Sequence, residues 1–122
     1  MHEPALILLA HGARDAEWAR PLERLREAIV AQDPQRDARL AFLEFMMPNL
    51  ADAIDQAVAA GIRRIAVVPV FLAQGGHVKR DVPTMLADAR RRHPQVSIEL
   101  RPVLGESQIV IDAMAACALK DM

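Results

Sequence analysis

Four short runs of apolar residues alternate along the chain with four stretches whose apolar residues recur at helical spacing. A short continuous apolar run is typical of a buried strand, whereas recurrence every three or four residues is typical of a helix with one buried face. The predicted strands are residues 5–10, 39–45, 64–70 and 96–103. The predicted helices are residues 16–32, 50–60, 81–92 and 107–120. Strand and helix therefore alternate four times.

Local signals mark several of these boundaries. Asn49 is a preferred N-cap residue, and Asp52 three positions later completes a pattern like a capping box. Gly61 ends the same helix. Pro21 predicts a short first turn followed by a main helix that begins near that residue. The glycine-rich segment 73–77 predicts a loop before the third helix.

This alternation predicts an α/β fold with right-handed crossovers and a mainly parallel sheet covered by helices on both faces. We predict four strands in the order 2-1-3-4, in a single domain that spans residues 1–122. In such sheets ligands bind beyond the carboxyl ends of the strands. Functional side chains are therefore expected at that edge.

Composition and charge narrow the classes of function. With 15 basic and 16 acidic residues the net charge is −1, which does not favour nucleic acid as a partner. No apolar run approaches the ~18–20 residues that a membrane span requires. The one cysteine, Cys117, has no partner for an internal disulfide, and the N-terminus lacks signal-peptide features. We therefore expect a cytoplasmic protein without a membrane span.

Three candidate metal ligands follow or end the first three strands. His11 follows the first strand, Glu44 lies near the end of the second, and His77 lies in the predicted loop after the third. Neighbouring strands are ~4.8 Å apart, so these side chains can converge at one edge of the sheet. Two imidazoles and a carboxylate suit Co²⁺, Ni²⁺, Fe²⁺ or Zn²⁺. Three ligands leave coordination positions open, as a site that hands its metal onward requires.

Each candidate also has a structural interpretation. A single histidine after a strand is commonly a hydrogen-bonded structural residue. Glu44 interrupts an apolar run, where a buried carboxylate would be costly unless it is paired, although it could also lie exposed near the strand end. Gly75 and Gly76 are either turn glycines or positions where a ligand approaches the backbone closely.

Three segments together resemble a known family. They are residues 9–15 (LAHGARD), 42–48 (FLEFMMP) and 68–83 (VPVFLAQGGHVKRDVP), which occur in the order of the short CbiX-type sirohydrochlorin chelatases. The resemblance covers nearly the whole chain, and the third segment is its most specific part. Ala13 stands where the family usually has serine, which removes a hydroxyl beside the metal histidine.

The resemblance implies a flavodoxin-like half of a class II chelatase, with two copies pairing as a homodimer. It implies sirohydrochlorin as the substrate and Co²⁺, Fe²⁺ or Ni²⁺ as the inserted metal, for cobalamin or siroheme, with no prosthetic group. By the family motif, His11 and His77 bind the metal and accept pyrrole protons while Glu44 assists.

Basic residues flank the two histidines, namely Arg14 beside His11, and Lys79 and Arg80 beside His77. Sirohydrochlorin carries several carboxylates, and these side chains are natural partners for them. Ordinary solvated charge is the alternative interpretation.

Two other functions compete with the chelatase. A non-catalytic carrier of metal or tetrapyrrole could use the same fold, because fold does not prove turnover. A phosphoryl-transfer enzyme with His11 as the nucleophile is less consistent with the sequence, because no arginine precedes His11 and Glu44 has no natural role in that reaction. The chain also has no phosphate-binding G-x-x-x-x-G-K-[ST] loop, so we expect metal insertion without ATP.

The last predicted helix bears on assembly. Its apolar residues surround nearly the whole circumference, whereas a surface helix normally shows a polar face. One sheet can cover only one side of such a helix, so a second subunit is expected to cover another side. The alternative is that Asp112, Lys120 and the many alanines form an adequate solvent face.

Overall fold

The computed structural model describes residues 4–73 and 75–122, so Gln74 of the glycine-rich segment lies outside the described residues. Four strands form one parallel sheet in the order β2-β1-β3-β4, which confirms the predicted topology. The strands are β1 (Ala5–Ala10), β2 (Ala38–Phe42), β3 (Arg64–Pro69) and β4 (Ser97–Leu100). The two central strands, β1 and β3, consist almost wholly of apolar residues, as expected of strands covered on both faces.

Four α-helices connect or follow the strands. They are α1 (Arg20–Gln32), α2 (Leu50–Ala59), α3 (Gly76–Arg92) and α4 (Gln108–Leu119). A short 3-10 helix, Ala16–Ala19, precedes α1, which confirms the short first turn predicted from Pro21. A second 3-10 helix, Leu104–Glu106, leads into α4.

The main core lies between one face of the sheet and helices α2 and α3. Side chains alternate across a strand, so every second residue of β1 and β3 points to this face. The fully buried members from the sheet include Ile7, Leu9, Ile65 and Val67, and Ile54 and Leu86 meet them from the two helices. This packing fixes the positions of the loops at the carboxyl edge of the sheet.

The opposite face of the sheet is covered less completely. Helix α1 packs on β2 and β1, and Arg26 donates from Nε to the Ala38 carbonyl oxygen over 2.6 Å. Helix α4 follows the second 3-10 helix and has no buried residue. Among the residues that the structure describes, no helix covers the half of this face that β3 and β4 form.

Several predicted boundaries need correction. Helix α2 is capped as predicted, because the Asn49 side chain accepts a hydrogen bond from the Asp52 amide over 2.8 Å. Helix α3 begins five residues earlier than predicted, at Gly76. Gly75 and Gly76 do not break the helix, because neither has a positive φ and Gly75 serves as the N-cap. Strand β2 ends at Phe42, three residues early, and Phe45 then takes a positive φ of 65°.

Candidate metal site at the carboxyl edge

A close contact between two backbone segments builds the floor of the site. His11 follows β1, and its carbonyl oxygen accepts a hydrogen bond from the Glu44 amide over 3.1 Å. Gly12 has a φ of 88°, and a Cβ atom placed there would overlap the Glu44 carbonyl oxygen. Only glycine accommodates both the left-handed backbone and this approach. Gly12 therefore holds the histidine and the glutamate segments together.

Glu44 lies beyond the end of β2, in the bend that leads to Asn49, and it is exposed. The interpretation of Glu44 as a buried carboxylate inside a strand is therefore wrong. The apolar run continues past the point where the strand ends, so the sequence pattern overstated its burial. An exposed carboxylate carries no large desolvation cost and is accessible to an incoming ion.

His77 lies in the first turn of α3 instead of in the predicted loop. Its Nε2 atom lies 2.9 Å from a carboxylate oxygen of Asp81, one helical turn further on. Residues four apart lie on the same face of a helix, which is why these two side chains meet. The ring of His77 is thus held through one nitrogen, and the other nitrogen is left for a ligand.

His11, Glu44, His77 and Asp81 line a single cleft of about 140 Å³ whose apolar wall includes Met85. The structure thus places the three predicted ligands around one cavity. Among residues 4–73 and 75–122, however, no three His, Cys, Asp or Glu side chains are arranged to hold one metal ion together. The side chains share a cleft without forming a preassembled coordination shell.

Aromatic and apolar side chains border the cleft. The His11 ring lies against the buried Phe71 ring, with centroids 4.4 Å apart. The Arg14 guanidinium lies 4.8 Å from the centroid of the Phe45 ring, a cation–π contact. Phe45 and Leu72 are large apolar residues in the loops at this edge, and they are 56% and 71% exposed. The edge therefore presents apolar surface to a ligand.

The remaining predicted site residues lie at the N-terminus of α3. Lys79 and Arg80 are exposed in its first turns. Gly75 has open space around its Cα, and the closest atom to a Cβ at Gly76 would be Arg80 Nη1 at 3.8 Å. Neither glycine is demanded by the conformation of the chain, so the turn-glycine interpretation is not supported. An uncrowded helix N-terminus with two adjacent cations is suited to anionic groups.

Sequence reasoning missed two residues of the site, Gly12 and Asp81. Gly12 could have been found from the His-Gly pair directly after a strand, where a glycine permits a sharp turn. Asp81 was hidden by the predicted helix start, because a helix that begins at residue 81 does not place His77 one turn before it.

His93 lies at the other end of α3, where it has a structural role. Its Nε2 lies 2.7 Å from Asp55 Oδ1, and Arg92 donates to the same carboxylate. The hydrogen bond from His93, with that from Arg92, holds the pKa of Asp55 below its ordinary value of 3.8. This cluster links α2 to α3, far along the helix from the cleft.

The sequence of this chain is similar to the sequences of known proteins. The CbiX family model matches residues 5–119. The chain is 35% identical over 82 residues to a sirohydrochlorin cobaltochelatase of Methanopyrus kandleri, which covers 67% of this chain and 57% of the relative. It is 28% identical over 109 residues to the chloroplastic sirohydrochlorin ferrochelatase of Arabidopsis thaliana, and this match covers 89% of this chain and 48% of the relative. The chain thus spans about half the length of the curated relatives that it matches.

Solved structures show the same fold. A CbiX protein from Marinobacter aquaeolei, assigned to cobalamin (vitamin B12) biosynthesis, superposes with a TM-score of 0.84 at 33% identity, covering 95% of this chain and 94% of that one. The sirohydrochlorin chelatase SirB from Bacillus subtilis, in complex with cobalt, superposes with a TM-score of 0.79 at 26% identity, covering 93% of this chain and 48% of SirB. Within the described part of this chain, no helix has the length and apolar character needed to cross a membrane.

Proposed function

Because the chain belongs to the CbiX family, we propose that it is a sirohydrochlorin chelatase that inserts a divalent metal ion into the tetrapyrrole without ATP. The observation that carries this proposal is that His11, Glu44 and His77 line one cleft at the carboxyl edge of the sheet. Residues 1–122 would act as one chelatase domain. The metal is a substrate of the reaction, and no prosthetic group is needed.

Insertion exchanges two pyrrole protons of the macrocycle for one metal dication. We assign metal binding and proton acceptance to His11 and His77, because a neutral imidazole can do either. Glu44 is exposed beside His11 and can bind the dication or accept a proton as the metal leaves. Asp81 would orient the ring of His77, as carboxylates commonly do for metal-binding histidines.

A loosely assembled ligand set fits a metal that must be passed on. A structural metal site closes its coordination shell with four protein ligands, whereas this cleft offers side chains that do not converge on one point. Weak, incomplete coordination would let the nitrogen atoms of the macrocycle replace the protein ligands one after another.

The macrocycle itself would lie outside the cleft. Pockets for drug-sized ligands occupy roughly 300–1,000 Å³, and the cleft of about 140 Å³ has room for an ion but not for a tetrapyrrole. The exposed apolar residues of the edge offer a surface for its flat ring. Arg14, Lys79 and Arg80 would bind its carboxylates, and the bare backbone at Gly75 and Gly76 would allow a close approach.

We further propose that the working unit is a homodimer and that it is cytoplasmic. One copy covers 48% of the SirB chain, so two copies match the length of that chelatase. A second copy would also supply the wall that the macrocycle lacks. Co²⁺ is the metal we favour, for cobalamin synthesis, with Fe²⁺ for siroheme and Ni²⁺ as alternatives, because relatives are named as cobaltochelatases and as a ferrochelatase.

Turnover counting separates this enzyme from a carrier of metal or tetrapyrrole. Purified protein would be mixed with sirohydrochlorin and Co²⁺, each in large molar excess over the protein. The absorbance change of the macrocycle would be followed against a protein-free control. We expect many equivalents of product per chain and a rate proportional to protein concentration. A change that stops at one equivalent would identify a carrier. Repeating the rates with Fe²⁺ and Ni²⁺ would identify the preferred metal.

A further inference from the structure

Helix α4 is apolar around most of its circumference and is largely uncovered. None of its residues is buried, and Ile109 and Leu119 are 82% and 67% exposed. Its first turns carry one polar pair, in which Gln108 donates to Asp112 over 2.8 Å. A helix that is apolar around its circumference belongs in a protein interior. The fold of one chain leaves it outside.

The total surface area shows how much is left uncovered. The chain exposes 8109 Å², about 1,600 Å² more than the roughly 6,500 Å² expected of a compact monomer of 13.5 kDa. Two chains together carry an excess of about 3,200 Å², within the roughly 2,000–5,000 Å² that obligate homodimers bury. The excess is therefore of the size that a stable dimer needs.

A groove on the sheet offers a place for such a helix. On the sheet face opposite to the main core, helix α1 covers the side that β2 forms. Next to α1 on this face, Leu6 of β1 and Val68 of β3 are only half-buried. Together with Leu104 they line a groove of about 610 Å³, with Arg101 and Glu106 also contributing to its walls. An apolar floor with charged residues beside it resembles the core and rim of a protein interface.

The segment before α4 is packed on the loop after β3 and leads the helix away from the groove of its own chain. Gly105 donates its amide hydrogen to the Phe71 carbonyl oxygen over 2.8 Å, and a Cβ atom at Gly105 would overlap the backbone of Leu72. The Ser107 amide donates to the Leu104 carbonyl oxygen over 3.0 Å. The direction in which α4 leaves is thus fixed by a hydrogen-bonded turn packed on the loop after β3.

We infer that α4 lies in the groove of a second copy of the chain, and that two copies exchange their last helices reciprocally. Each apolar helix then covers the half of the sheet face that α1 leaves bare, and twofold symmetry closes the assembly. This arrangement goes beyond dimer formation, because it names helix and groove as the two contacting surfaces. It does not depend on the chelatase activity.

The test compares one substitution in each surface with a matched control. Met114→Glu places a charge on α4, Val68→Glu places one in the groove, and Ala28→Glu places one at an exposed position of α1. Sedimentation equilibrium at micromolar concentration should give wild type and Ala28→Glu at twice the 13.5 kDa chain mass. Both other variants should raise the dimer dissociation constant at least tenfold. A wild-type mass of one chain would overturn the inference.

The groove variant separates helix exchange from simple pairing of two α4 helices. If Val68→Glu stays as dimeric as wild type while Met114→Glu dissociates, the helices pair with each other and the exchange is wrong. Circular dichroism would check that each variant is folded, and Leu104→Glu would replace Val68→Glu if that variant unfolds.

Mixing the two variants provides an independent check. A heterodimer of Met114→Glu with Val68→Glu retains one intact helix-groove contact, whereas each homodimer retains none. We expect heterodimers at a concentration where each variant alone is monomeric. A mixture that stays monomeric at every concentration where wild type is dimeric would contradict the exchange.

Discussion

Replacing Gly12 by alanine tests the contact that holds the site together. Two separate costs arise there. The left-handed backbone at φ 88° costs an L-residue about 1–2 kcal/mol. The added methyl group would also overlap the Glu44 carbonyl oxygen, so one of the two segments must shift, at a cost of about 1–3 kcal/mol.

Gly61 provides a matched control, because it has nearly the same backbone but no neighbour. Its φ is 93°, and no atom lies within 4 Å of where its Cβ would be. For a protein of 122 residues, each kcal/mol lowers Tm by about 4 °C. We therefore expect a loss of about 4–8 °C for Gly61→Ala and about 8–20 °C for Gly12→Ala.

Thermal unfolding followed by circular dichroism would measure both variants, and urea titration would supply the free energies. Metal insertion should fall in Gly12→Ala even at temperatures where it is folded, because Glu44 moves relative to His11. Gly61→Ala should keep its activity. The reasoning is refuted if Gly12→Ala loses no more stability than Gly61→Ala, since the overlap would then cost nothing.

Three further predictions concern charge and access. Glu44→Gln should lower the rate of metal insertion about 100-fold with a change in Tm below about 2 °C, since the side chain is exposed and only its charge and basicity are lost. A variant that unfolds but, once rescued, turns over normally would show that Glu44 is a structural carboxylate. Gly75→Ala should cost no more than about 1 kcal/mol of stability, because alanine is a poorer N-cap than glycine. It should raise KM for sirohydrochlorin, because a methyl group there meets only an approaching ligand; an unchanged KM would remove Gly75 from the binding surface. Asp55→Asn should cost less than about 1 kcal/mol at pH 7, because the carboxylate is 46% exposed. Because the pKa of Asp55 is lowered in the folded state, this stabilisation is complete above pH 3.8 and disappears as the pH falls through the folded-state pKa. Urea titrations should therefore give free energies of unfolding for the wild type and Asp55→Asn that converge in acid. A difference between the two free energies that widens in acid would contradict the assignment.

Short-range signals predicted much of the fold because their causes lie within a few residues. The Asn49 cap needs only the helix that follows it, and the parallel arrangement of the strands follows from the regular alternation of apolar runs and amphipathic stretches. The predicted start of α3 is too late, because the glycine-rich segment 73–77 predicts a loop, whereas neither Gly75 nor Gly76 has a positive φ and the helix begins at Gly76. Composition does not reveal which glycines carry a positive φ.

The site was predicted in its members but not in its geometry. His11, Glu44 and His77 share a cleft because parallel strands bring their carboxyl ends to one edge. The pairing of His77 with Asp81 depends on the exact start of a helix, and the approach of Gly12 to Glu44 depends on two loops that are far apart in sequence. The sequence therefore offers a local signal for each residue, the His-Gly pair and the i,i+4 spacing, but not for the contact that it makes.

The most direct test of the account is the initial rate of Co²⁺ insertion into sirohydrochlorin by His11→Ala and His77→Ala, with His93→Ala as the matched control. His93 pairs with Asp55 away from the cleft, so its loss removes one histidine without touching the site. The account predicts a loss of about 100-fold or more in each of the first two variants while they remain folded, and a near wild-type rate in His93→Ala. A folded His11→Ala or His77→Ala variant that inserts metal at the wild-type rate would contradict it.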